Sequence, residues 1–151
     1  MRKLPIVFDY FGNALEKSLH IKVKSVESTV AVTCNDDEIM VSSLAFSGYY
    51  SGSLFMILKK AQKASIVKSV LENFSIDEAI SDEAVFSEIL NILSGAVITE
   101  FAKEDKYMNI SPPIYTLDHS FDKKPTETVI ITDERQFVYK FCLFLRNNSD
   151  D

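Results

Sequence analysis

Apolar positions recur at helical spacing, then in alternation, then at helical spacing twice more, and in alternation again. Over residues 5–20, Val7, Phe8, Phe11, Leu15 and Leu19 fall on one stripe, which predicts a first helix with Pro5 early in it. Residues 23–34 are rich in β-branched side chains and predict at least one strand, followed by a turn signal at Asn35-Asp36-Asp37. Residues 39–46 and 54–58 are strand patterns on either side of the glycine-containing stretch 47–53, which suggests a hairpin. Residues 59–74 return to helical spacing, with Ala64, Val67, Val70, Leu71 and Phe74 able to share a face. Lys59, Lys60, Lys63 and Lys68 occupy the rest, as on a solvated helix surface, and residues 73–80 read as a connection.

The next helix is predicted from Asp82 to residue 101 or 102. Ser81 or Asp82 caps it, and Asp82 and Glu83 suit the positive end of its dipole. Val85, Phe86, Ile89, Leu90, Ile92, Leu93, Val97 and Phe101 make a wide apolar surface. Opposite runs a narrow stripe, polar or small throughout: Glu88, Asn91, Gly95, Thr99 and Ala102. Residues 103–106 are a charged loop. Pro112 and Pro113 forbid helix and confine any strand in 107–115 to an edge or a start, while 116–126 reads as a loop. Residues 127–132 predict a strand, 133–136 a turn and 137–145 a last strand. That strand is apolar on both faces, as a central strand or a subunit contact would be. The order of elements predicts an α+β domain, a mostly antiparallel sheet with helices packed on it.

Composition narrows the function. The 151 residues, 46% hydrophobic and 25% charged, suit one folded domain over 1–151 with 146–151 as a frayed tail. A net charge of −6 argues against non-specific binding of nucleic acid. No long apolar run predicts a membrane span, and Asp9 interrupts the N-terminal apolar stretch too early for a signal peptide. Free buried thiols are therefore expected at Cys34 and Cys142 rather than a disulfide. His20 and His119 have no partner at metal-ligand spacing, so no metal is expected on this chain. Glycine-rich phosphate cradles and the Gly-x-Ser-x-Gly elbow are both missing, and no bound cofactor is expected.

What remains is the polar stripe. Glu88 and Asn91 stand three apart on one face, and Gly95 leaves that face bare one turn later. By spacing alone this is also what ordinary solvated helix looks like. Residues 88–95, Glu-Ile-Leu-Asn-Ile-Leu-Ser-Gly, resemble the Glu-x-x-Asn signature of the CheC/CheX family of chemotaxis phosphatases. Gly48 and Gly52 resemble the family's upstream Gly-x-x-x-Gly segment, and Ile110-Ser111-Pro112-Pro113 its downstream Ile-Ser-x-Pro segment. The likeness extends over roughly residues 5–145, and the single Glu-x-x-Asn site is similar to CheX rather than to CheC, whose chain carries two. Ala96 departs from the polar residue that members often have after the glycine.

The resemblance implies a cytoplasmic homodimeric phosphatase acting on the aspartyl phosphate of a CheY-like receiver, with Mg2+ held by the receiver. It implies that Asn91 orients the attacking water and that Glu88 pairs with the receiver's lysine. Gly95 and Thr99 are expected to border the partner. The alternative is an adaptor of the same fold that binds a receiver, or a chemotaxis or flagellar switch protein, without catalysis.

Overall fold

A computed structural model of the chain describes residues 7–29, 37–73, 81–102, 108–118 and 125–145. Helix α1 (Val7–Leu19) leads into strand β1 (Val23–Thr29). The hairpin of β2 (Glu38–Gly48) and β3 (Gly52–Lys59) is followed by a 3-10 turn (Lys60–Gln62), α2 (Lys63–Asn73) and α3 (Asp82–Ala102). Two short strands, β4 (Met108–Ile110) and β5 (Ile114–Asp118), precede the closing pair β6 (Glu127–Asp133) and β7 (Val138–Leu145). All pairings are antiparallel, in the order β1-β6-β7-β3-β2-β4, with β5 also on β2. The expected α+β class is the observed one.

The helices cover one face of the sheet. Phe11, Leu15 and Leu19 of α1 and Phe86, Ile89, Leu90 and Leu93 of α3 enter one core with Met56, Ile131, Tyr139 and Phe141 of the strands. β7 lies between β3 and β6, which explains why both its faces are apolar: on the other face Cys142 packs with Met40 and Ile57. That face also buries one ion pair, with Lys140 Nζ donating to both Glu38 oxygens at 2.8 and 2.7 Å. Cys142 is a buried thiol outside any disulfide, its Sγ accepting from the Thr128 hydroxyl at 3.7 Å, and Cys34 lies outside the described residues.

The hairpin depends on its two glycines. Gly48 takes φ 125°, a conformation open to few L residues. A Cβ on Gly52 would overlap the Phe144 carbonyl oxygen of β7, so the strands could not close to this spacing. Both strands run further into the glycine-containing stretch than the pattern suggested, leaving only residues 49–51 as the connection.

Two expectations need correction. Residues 116–118 are not loop but part of β5, because pairing with β2 gives their backbone partners that local sequence does not reveal. Residues 119–124 lie outside the described portion. The helix expected from residue 59 begins at Lys63. Lys59 is still paired with Glu38, and the Lys60 amide donates to the Asp37 carbonyl at 2.8 Å. The proline rule for 107–115 holds, since β4 and β5 form the edge of the sheet on either side of Ser111-Pro112-Pro113. Residues 30–36, which hold the end of the first predicted strand and most of the turn after it, lie outside the described residues, as do 74–80, 103–107 and the tail 146–151.

Candidate functional site

Helix α3 is anchored at its start and along one side. Ser81 is the cap: its Oγ accepts from the Ala84 amide at 3.2 Å and its carbonyl from the Val85 amide at 3.2 Å. Lys63 bridges to Asp82 in the first turn at 3.5 Å. Val85, Phe86, Ile89, Leu90 and Leu93 are buried, so one side of the helix is fixed in the core. The stripe opposite is therefore presented on a rigid support, with Glu88, Asn91 and Gly95 all exposed. A Cβ placed on Gly95 would meet nothing within 4 Å. Ser94, buried in the same turn, donates its hydroxyl to the Asn91 carbonyl at 2.9 Å.

A second wall faces this stripe. α3 packs against β2, β4 and β5, and the segment between β4 and β5 carries Ser111, Pro112 and Pro113. Together they enclose an open groove of about 410 Å³. One side is Ala84, Ser87, Glu88, Asn91, Ser94 and Gly95, and the other is Ile110, Ser111, Pro112 and Pro113. Two segments singled out separately in the sequence thus become the two sides of one cleft.

The chemistry of the groove is limited. Among the described residues lining it, Glu88 is the one acidic or basic side chain, and a carboxylate there attracts a cation. Asn91 offers a carbonyl acceptor and an amide donor without titrating. Among the described residues no histidine, lysine or cysteine lines the groove to activate its serines. One carboxylate is too small a donor set for a dedicated Mg2+ site, which wants about six oxygens. Among the described residues no three His, Cys, Asp or Glu side chains come together as metal ligands. No helix among the described residues is long and apolar enough to cross a membrane.

Thr99 lies on α3 one turn beyond Gly95, and its side chain is outside the described residues. The other candidates among the described residues lie apart from the groove lining. Tyr50 is buried, whereas Tyr49 is exposed and packs edge-on against it at 4.8 Å; neither lines the groove. Lys59, Lys60 and Lys68 lie on the surface away from the groove lining. His20 lines a separate cavity with Asp133, Arg135 and Ser69, and His119 lies outside the described residues. In that cavity Asp133 accepts from the Arg135 and Phe137 amides and from the Tyr139 hydroxyl, each at 2.9 Å, which is the bonding of a turn. Burial, reinforced by the Asp133 carboxylate, pushes the Tyr139 phenol well above its ordinary value.

Sequence reasoning passed over Ser87 and Ser94, and gave Ser111 no role beyond its place in the Ile-Ser-x-Pro segment. The available signal was at Ser111, a hydroxyl residue set before two prolines that have no amide hydrogen to give.

Known proteins share this arrangement of elements. The family model described as chemotaxis phosphatase CheX matches residues 40–141. The chemotaxis protein CheX from Desulfovibrio desulfuricans is similar at 16% identity and a TM-score of 0.66, over 91% of this chain and 95% of that one. A CheX–CheY–BeF3–Mg2+ complex from Borrelia burgdorferi is similar at 13% identity and a TM-score of 0.72, over 93% and 96%. FliY from Thermotoga maritima is similar at 17% identity and a TM-score of 0.56, over 98% and 93%. At these identities the solved structures show the fold. Among curated proteins no sequence matches the chain.

Proposed function

The chain belongs to the chemotaxis phosphatase CheX family, and we propose that it accelerates hydrolysis of the aspartyl phosphate of a CheY-like receiver. The observation that carries this reading is the exposed Glu88–Asn91 pair on a helix whose other side is locked in the core. An acyl phosphate needs little new chemistry. A water must be held in line with phosphorus, and competing geometries must be removed. The water oxygen forms the new bond to phosphorus. The bond from phosphorus to the aspartyl oxygen breaks, the carboxylate departs with the electron pair, and the water proton passes to phosphate or solvent.

Asn91 serves this step by orienting the water through its amide. Because it never titrates, it adds no strong base of its own. Glu88 pairs with a lysine of the receiver, where a charge-assisted contact beside a closing interface fixes register as well as adding attraction. Gly95 leaves room for the receiver backbone, and Thr99 borders the same partner. Mg2+ belongs to the receiver in this scheme. The similarity in fold to a CheX solved with CheY, BeF3 and Mg2+ supports a receiver as partner. A homodimer and a cytoplasmic location belong to the same proposal.

The test is the decay of a phosphorylated receiver with and without this protein. Wild type is expected to shorten phosphate lifetime, and Asn91→Ala to abolish the effect at unchanged thermal stability. Glu88→Lys is expected to weaken both binding and rate, since it sets like charge against the receiver's lysine. A receiver that binds wild type with unchanged phosphate lifetime would replace the phosphatase by the adaptor of the same fold.

A further inference from the structure

We infer that Ser111 is a positioning residue, whose hydroxyl and amide pin the Pro112–Pro113 wall to β2 and so set the width of the groove in front of Asn91. The inference rests on the reading of that groove as the place where a receiver docks.

The strand register shows where the pin is needed. β2 pairs with β4 as far as Phe46↔Ile110 and resumes with β5 at Ser43↔Ile114. Between these points β2 has two residues, Leu44 and Ala45, while the other chain has three, Ser111, Pro112 and Pro113. One residue is in excess, so this backbone must bulge away from the ladder. Neither proline can donate to β2.

Ser111 reconciles the bulge with the ladder. Its amide donates to the Ala45 carbonyl at 2.8 Å, as in regular pairing. The return bond is not regular: the Ala45 amide donates at 2.9 Å to Ser111 Oγ. The side-chain oxygen takes the place that the Ser111 carbonyl would hold in an unbroken antiparallel pair. The carbonyl is thereby released, and the chain turns out through Pro112 and Pro113 to form the wall. The Ser111 hydroxyl also lies 3.4 Å from the Pro112 carbonyl, at the long end of hydrogen bonding.

The same strand steadies the opposite side. Ser42 of β2, fully buried, approaches the Phe86 carbonyl of α3 at 3.4 Å, two residues before Glu88. β2 thus spans the two sides of the groove, and Ser111 is the strong attachment on the wall side. Without the Ser111 oxygen, the exposed Ala45 amide either turns to water or recovers the Ser111 carbonyl by drawing the wall back into the ladder. Both outcomes change the spacing between the prolines and Asn91, while Asn91 itself is untouched.

The test compares wild type, Ser111→Ala and Ser111→Thr by two measurements. Amide exchange at Ala45, read by NMR, is expected to speed up about tenfold or more in Ser111→Ala and to stay slow in Ser111→Thr, which keeps the acceptor. In phosphorylated-receiver decay, Ser111→Ala is expected to raise KM about 5-fold, the equivalent of one displaced hydrogen bond, at a kcat within about twofold of wild type. Ser111→Thr should restore KM. Should Ser111→Ala not fold, Ser111→Cys takes its place, since it fills the volume but accepts hydrogen bonds weakly. Wild-type exchange and KM in the alanine variant would overturn the inference, as would a threonine variant no better than alanine, or a fall in kcat at constant KM. If wild type itself leaves phosphate lifetime unchanged, the reading of the groove fails, and the role of Ser111 toward a receiver fails with it. Ala45 exchange then still decides whether the clamp exists.

Discussion

Gly95 separates two demands that usually coincide, because its side of α3 is open where a residue needed only for packing would be closed. Glycine inside a helix is less favourable than alanine by about 0.8–1 kcal/mol. Gly95 sits well inside the 21 residues of α3. A Cβ there would meet nothing within 4 Å, so no steric penalty offsets the gain. Gly95→Ala is therefore expected to stabilise the fold by about 0.5–1 kcal/mol, or roughly 2–4 °C in Tm for a chain of this size.

Gly95→Leu keeps the helix gain, because leucine is nearly as good a helix former as alanine. Its side chain, however, must occupy the groove beside Asn91, one turn away on the same face. Receiver dephosphorylation is expected to fall at least about tenfold, or ~1.4 kcal/mol of transition-state stabilisation. Thermal denaturation followed by circular dichroism gives the first quantity, and receiver decay at fixed protein concentration gives the second. The expected signature is stability rising while activity falls, as at other sites where function opposes stability. A lower Tm in Gly95→Ala would refute the open-face argument. A fully active Gly95→Leu would refute the claim that a partner closes over this edge.

Two further substitutions test the scaffold. Gly52→Ala forces a Cβ onto the Phe144 carbonyl, a backbone atom that cannot move aside cheaply. It is expected to lower stability by about 1–3 kcal/mol, and a wild-type Tm would show that β3 and β7 do not approach this closely. Tyr139→Phe leaves the buried Asp133 carboxylate without its hydroxyl donor and is expected to lower stability at pH 8 by about 1–3 kcal/mol. The tyrosine pKa is raised on folding, so above about pH 10 the unfolded chain releases a proton that the folded chain keeps, and wild-type stability falls. Denaturation at pH 8 and pH 11 should therefore show wild type losing more stability than Tyr139→Phe, and equal losses would contradict the assignment.

Most elements could be read from one-dimensional spacing. The α3 pattern carried its own boundaries, since Ser81, Asp82 and Glu83 satisfy and complement free amides within one turn. Glu88, Asn91 and Gly95 share a face for the same reason: helix geometry fixes the relation of residues three and four apart. The two-sided apolarity of β7 was legible too, but it fitted a central strand or a subunit contact equally, and the sheet order decides for the central place. Residues 116–118 were not legible. Their polar composition suits a loop, and only hydrogen bonds to β2, far away in the chain, make them a strand.

The sequence by itself determined a chemically bare edge, an amide, a carboxylate and a gap, because these are local facts of one helix. It also marked Ser111, Pro112 and Pro113 as a break in an edge strand. Tertiary structure alone decided that the break faces the edge. The β4–β5 segment lies next to α3 because both lean on β2, and no spacing within either segment contains that relation. Nor could spacing reveal that the Ser111 hydroxyl would stand in for its own carbonyl. That exchange exists only when three residues must pass two on a neighbouring strand.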